Sequence, residues 1–164
     1  MGERCFERSP DLEYVDALEL TSIGQYAFHG CSSLADINCK CDSLPTAAFA
    51  DCTNLENYHS WEKLSSIGLC AFYGCNSLQN VNLLSVTTIG ASAFISCTSL
   101  NSLTIPSSLT SIGQDAFTGC TSLADITFID RNYHQVSTEI ANWPWGIDVE
   151  GIVIKADPIP PKSF

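Results

Sequence analysis

Nine cysteines and three histidines carry the chemical potential of this 164-residue chain, and their spacing decides what they can do. Cys31, Cys52, Cys75, Cys97 and Cys120 recur at intervals of 21 to 23 residues. Successive laps of a coil lie about 4.8 Å apart, which is near the Cα separation of roughly 4.4 to 6.8 Å that a disulfide needs. Distance therefore permits bonding, but stacked side chains point in parallel and not at each other. The column reads first as buried free thiols acting as small apolar groups, with disulfides as the alternative. Cys39-Lys40-Cys41 is the one close pair. Alternation puts both sulfurs on the buried face, whereas zinc wants a second such pair or added histidines. Cys5 and Cys70 are local substitutions near another repeated position. A Cys41–His59 couple between neighbouring laps would make a thiolate nucleophile, yet Cys41 is expected beyond its strand and has no third group to orient it. His29, His59 and His134 fall on different parts of the coil, and no Gly-rich phosphate loop, His-Glu-x-x-His or Gly-x-Ser-x-Gly string occurs. The expectation is a non-enzyme, with no catalytic residue, metal or cofactor.

The elements that hold these residues form one repeated phrase. Ile23, Leu44, Ile67, Ile89 and Ile112 lead; Phe28, Phe49, Phe72, Phe94 and Phe117 follow; each cysteine comes three residues after its Phe, and Leu34, Leu55, Leu78, Leu100 and Leu123 three residues after that. A half copy opens the chain with Phe6, Leu12 and Val15 in register. A unit of about 22 residues cannot bury its own apolar side chains, so it must stack on copies of itself. After each Leu the spacing changes to alternation, as in Leu100, Leu103 and Ile105, or Leu78, Val81 and Leu83. That predicts a short strand with one buried face, paired in parallel through the return path of each lap. Gly30, Gly74 and Gly119, one residue before the Cys, ease the turn after the Phe. Gly24, Gly68, Gly90 and Gly113, after the leading Ile, mark a second bend.

The string Ile-Gly-x-x-Ala-Phe-x-x-Cys-x-Ser-Leu resembles the BspA-like (Treponema pallidum type) leucine-rich repeats over roughly residues 5 to 129. The resemblance implies an α/β solenoid: a right-handed coil with a parallel β-sheet on its concave face and short turns or helical pieces on the convex side. It also implies a place on a bacterial cell surface, or secretion, and a role in cell adhesion through protein binding. The chain divides into an array at 1–129, a capping segment at 130–156 and an extended tail at 157–164. In the cap, Asn132 and Gln135 resemble a capping box and predict a short helix from Tyr133 to Trp143 that ends at Pro144. A strand follows over Val149 to Ile154, and Tyr133, Trp143 and Trp145 cover the open end of the core. This stretch also looks similar to closing segments of such arrays.

Alternation predicts three outward columns on the sheet. The first is Tyr14, Asp36, Asn57, Asn80, Ser102 and Asp125; the second is Asp16, Asn38, His59, Asn82, Thr104 and Thr127. The third, Leu18, Lys40, Trp61, Leu84, Pro106 and Ile129, is apolar for a solvent-facing position. Trp61 offers a large rigid anchor, and with His59, Lys40, Leu84, Asn38 and Asn82 it forms the candidate binding patch. The competing reading folds Trp61 onto the rim, over a longer return loop at Glu62 and Lys63. Seven basic against eighteen acidic residues, a net charge of -11, argue against nucleic acid and against an anionic membrane surface. No apolar run approaches the roughly 18 residues that cross a bilayer, so no membrane insertion is expected, and no signal peptide is legible at the N-terminus. Two functions remain: a recognition module for a protein ligand, or a structural spacer of a larger surface or appendage protein.

Overall fold

In the computed structural model, which describes residues 1–60, 64–130 and 140–156, the phrase becomes one lap of a β-solenoid. A full lap holds a turn arc, a four-residue strand and then a two-residue strand. The four-residue strands are β1 (Tyr14–Ala17), β2 (Asp36–Cys39), β4 (Asn57–Ser60), β7 (Ser102–Ile105), β9 (Asp125–Phe128) and β10 (Val153–Ala156). The two-residue strands are β3 (Ser43–Leu44), β5 (Ser66–Ile67), β6 (Thr88–Ile89) and β8 (Ser111–Ile112). All strand pairs are parallel, in sheets ordered β1-β2-β4, β7-β9-β10 and β3-β5-β6-β8.

Three expectations need correction. There is no helix among the described residues, so the α/β description and the helical convex pieces give way to turns. Twelve residues explain why. Those two before and two after each of Phe6, Phe28, Phe49, Phe72, Phe94 and Phe117 all have φ between +51 and +78°. No helix tolerates a left-handed residue at every fourth position. Nine of these are not glycine (Tyr26, Cys70 and Asp115 among them), and none is β-branched, as sterics demand. The second correction concerns the leading Ile column, which forms a sheet of its own. Its glycines serve close approach: a Cβ on Gly68 would stand 2.7 Å from the Pro45 carbonyl carbon, and one on Gly90 2.6 Å from that of Gly68. The third is the strand expected at Val81 and Leu83, where only Asn80 bridges back to Asn57. The Asn82 side chain accepts the Leu84 N–H at 3.0 Å, a local turn that competes with the ladder and splits the broad sheet in two.

The core is a column of rings. Phe6, Phe28, Phe49, Phe72, Phe94 and Phe117 stack with centroids 5.1 to 5.5 Å apart and planes within 16° of parallel. Trp145, fully buried, closes the column 6.4 Å beyond Phe117. Each Phe N–H from Phe6 to Phe94 donates to the carbonyl of the Ala before the next ring (Phe6 to Ala27, 2.9 Å), and Phe117 donates to the carbonyl of Trp145 itself (3.0 Å). Among the described residues no charged or amide side chain is buried, and the polar side-chain groups of the core include cysteine thiols and the Tyr58 hydroxyl.

Beyond the array, residues 131–139 lie outside the described residues, and with them most of the expected helix, including Asn132, Tyr133 and Gln135. Its last residues, from Ala141, form a turn. The closing strand starts at Val153, later than expected, because Gly151 turns the chain with φ of +83°.

Phe72→Ala at the centre of the stack is expected to cost about 3 to 5 kcal/mol of unfolding free energy. Phe6→Ala should cost clearly less, since Phe6 is 37% exposed at the column's end. Urea unfolding of both variants checks this, and equal losses would remove the stack from its central role.

Candidate functional site

Backbone pairing fixes the outward columns wherever strands meet. Tyr14, Asp36 and Asn57 stand in one register, with Asn80 joined by its bridge; Asp16, Asn38 and His59 stand in the next. After the split, Ser102 pairs with Asp125, and Thr127 pairs with Thr104 on one side and Lys155 on the other. Of the predicted patch, Asn38 and His59 are thus direct neighbours. His59 Nε2 is 3.4 Å from Asp36 Oδ1, and Asn38 Nδ2 donates to Asp16 Oδ1 at 3.5 Å. Lys40 follows β2 and is half-buried. Asn82 and Leu84 are exposed, Leu84 at 57%, but they sit on the local turn and outside the paired register. Trp61, with Glu62 and Lys63, lies outside the described residues. The surface that pairing organises is polar, with Asp16, Asp36 and Asp125 as its carboxylates; Lys155 Nζ meets Asp125 at 2.7 Å.

The repeated cysteines do a different job. Each thiol donates to the carbonyl of the Phe one lap earlier: Cys31 to Phe6 and Cys52 to Phe28 at 3.0 Å, Cys75 to Phe49 at 3.1 Å, Cys97 to Phe72 and Cys120 to Phe94 at 3.2 Å. The same carbonyls already accept the N–H three residues on in their own lap, Ser9 for Phe6 and the Cys for the others, as Phe28 does from Cys31 at 3.1 Å. All nine cysteines are free. Burial pushes the column thiols up, Cys75 well above the ordinary range and Cys120 to about 12. Such groups are poor nucleophiles. Cys120 is the chain's last cysteine, so no thiol repeats this bond at Phe117. A cavity of about 390 Å³ opens there between the last lap and the closing segment, lined by Phe117, Cys120, Leu123, Gly146, Ile147 and Ile152.

Sequence reasoning missed a polar cluster on the turn side. Arg4 donates to both Glu7 carboxylate oxygens (2.7 and 2.9 Å) and lies 4.4 Å from the Tyr26 ring centroid. His29 sits between Glu7 (3.3 Å) and Asp51 (3.5 Å). The Arg4 hydrogen bond holds the Glu7 carboxyl below its usual range. The cluster joins three laps and contains no nucleophile. Its signal was faint: Glu7 and His29 follow the Phe directly in successive copies, whereas Asp51 comes two after its Phe.

Comparison with known proteins agrees with this architecture. The family model described as "BspA type Leucine rich repeat region" matches residues 42–140 in six copies. A leucine-rich repeat protein from Bacteroides ovatus is 27% identical with a TM-score of 0.70, over 88% of this chain and 36% of that one. The Treponema pallidum leucine-rich repeat protein is 28% identical with a TM-score of 0.63, over 88% of this chain and 66% of that one. A leucine-rich cell surface protein from Faecalibacterium prausnitzii shares the fold at 24% identity and a TM-score of 0.51, over 78% of this chain and 42% of that one. The chain thus spans from about a third to two thirds of the solved proteins it resembles. No curated protein matches it significantly.

The thiols set a pH dependence. Burial raises the folded-state values of the column thiols Cys52, Cys75 and Cys97, so below about pH 8.5 these groups stay protonated in both states and their contribution to stability is flat. Above that, the unfolded chain releases protons that the folded chain keeps, and stability falls by up to about 1.4 kcal/mol per pH unit per thiol. Urea midpoints measured under reducing conditions from pH 7 to 10 should decline on the alkaline side. A flat profile would mean that the thiols are not held as described.

Proposed function

We propose that this chain, which belongs to the BspA-type leucine-rich repeat family, is a non-catalytic recognition module that binds a protein partner through the outward side of its broad sheet. The observation that carries this reading is the register-locked set of outward columns. Tyr14, Asp36, Asn57 and Asn80, with Asp16, Asn38 and His59 beside them, are positioned by the backbone and are not needed by the core. A surface that is held rigid before binding loses little entropy on binding. The break in the sheet adds exposed Leu84 beside the Asn80 and Asn82 amides. Leu84 and Trp61 are the apolar anchors of the patch, with His59, Lys40, Asn38 and Asn82 as its polar contacts.

The partner's chemistry follows from the charge. With a net charge of -11 and three carboxylates on the face, a basic protein surface is favoured, and nucleic acid is not. Family membership supports placement at a bacterial cell surface or in secretion, as part of an adhesin-like protein that contacts a host or a neighbouring cell. Among the described residues no helix is long and apolar enough to cross a membrane.

Immobilised protein should capture a partner saturably from host or neighbouring-cell extracts, and less as salt rises. Leu84→Glu combined with His59→Ala should weaken that capture at least tenfold without lowering thermal stability, while Tyr73→Ala on the turn side leaves it intact. Silence across many extracts would favour the spacer reading.

A further inference from the structure

One pair of side chains has no part in the recognition surface or in the repeated thiol ladder. Cys39 closes β2 and Cys41 follows it by two; they are 0% and 1% exposed. Neither bonds to a Phe carbonyl. Cys39 Sγ lies 3.7 Å from the Tyr58 hydroxyl, and Cys41 Sγ lies 3.7 Å from the Leu20 carbonyl. Both positions depart from their columns together. Where Tyr58 stands, the other laps place Val15, Ile37, Val81, Leu103 and Ile126, so the phenol brings a hydroxyl into an apolar column. Where Cys39 stands, its strand neighbours place Ala17 and Ser60. Cys41 lies past the end of β2, and its thiol is near enough to Cys39 to share a hydrogen bond with it.

We propose that Cys39 and Cys41 form a reversible dithiol–disulfide couple that exchanges with low-molecular-weight disulfides, with Tyr58 positioning the attacking sulfur. The Cys39 thiolate attacks one sulfur of the small disulfide, forming a mixed disulfide and expelling a thiolate. That thiolate takes the Cys41 proton, and the Cys41 sulfur then attacks Cys39, expelling the second small thiolate, which takes up from solvent the proton that Cys39 lost on ionising. Two protein thiols are oxidised and one external disulfide is reduced to two thiols. Hydrogen bonding from Cys41, joined by the Tyr58 hydroxyl, holds Cys39 below the usual thiol range despite its burial. Cys41 is pushed the other way by the same bond to Cys39. The pair is thus poised for one sulfur to attack and the other to resolve.

Access runs through the outermost lap. Cys41 lies under Leu20, which is only partly buried, and β1 is an edge strand with Tyr14 53% exposed. Such peripheral segments open at lower cost than interior ones. Cys52, Cys75 and Cys97 lie beneath further laps, each engaged with a carbonyl. The bridge closes a small strained ring, and strained bridges are the readily reduced ones.

The test uses native protein in glutathione/glutathione-disulfide mixtures, quenched with acid, unfolded, alkylated and mapped by mass spectrometry. The expected product is a peptide carrying Cys39 and Cys41 that is lighter by two hydrogens and unalkylated, is restored by dithiothreitol, and appears while Cys52, Cys75 and Cys97 remain fully alkylated. In Cys41→Ser, glutathione should instead remain on Cys39. Tyr58→Phe should slow oxidation several-fold. The proposal is overturned if Cys39 and Cys41 stay fully alkylated at ratios that glutathionylate exposed Cys5, or if they oxidise no faster than Cys52. An unchanged rate in Tyr58→Phe overturns the role given to the phenol.

Discussion

The inability of one lap to bury its own Phe ring governs this molecule. An aromatic side chain offers on the order of 150 to 250 Å² to bury, and a turn of about 22 residues has no second layer in which to hide it. Only the laps before and after can cover the two faces of Phe72, and they do so with Phe49 and Phe94 at 5.5 and 5.3 Å. Every other regularity keeps those rings coaxial. Rung spacing must match ring thickness, so the backbones must approach closely enough that a Cβ at Gly68 or Gly113 would strike the neighbouring lap.

Close approach brings an obligation to the buried polar backbone. The turn arc meets it without helix or sheet. Left-handed residues two before and two after each Phe alternate the chain so that N–H groups point along the stack, as Tyr26 to Thr46, Phe28 to Ala48 and Gly30 to Ala50 do. The Phe carbonyl then has a lone pair facing the next lap, and the thiol three residues past the next ring fills it. This explains why a cysteine occupies that place: it is small and apolar enough for the interior and still has one weak donor to give.

Most of this could be read in the sequence, and the failures have physical causes. The Phe, Leu and Ile columns were legible because burial selects for size and polarity at a fixed period. The second sheet was not, because strands of two residues, such as Ser66–Ile67, are too short to show alternation. The turn at each Phe was legible, but the left-handed backbone that excludes helical pieces there was only half visible. Gly30, Gly74 and Gly119 announce a left-handed backbone, but Arg8, Asp51 and Ser96 adopt it silently in the same column. On the outward face the first two columns were legible up to Asn57 and His59. The split at Asn82 was not, since it depends on one side chain bonding its own backbone and not on any pattern. The His29 cluster escaped notice because its members come from three copies and meet only when laps stack.

The same geometry limits where a solenoid of this kind can vary. Inward positions are tied to the two neighbouring laps, and the turn arc is tied through its hydrogen bonds, so a change there propagates along the axis. Outward positions on the broad sheet have no such ties: Asp16, Asn38 and His59 share a register yet differ completely in chemistry. A departure inside the core is therefore more informative than one on the face. Cys39, Cys41 and Tyr58 break three inward positions on two adjacent laps, and Cys39 meets both Cys41 on its own lap and the Tyr58 hydroxyl on the next. Unrelated substitutions would each have left a thiol or hydroxyl facing hydrocarbon. Their mutual contact is what makes the group tolerable in the interior, and it is also what gives the two sulfurs unequal acidity.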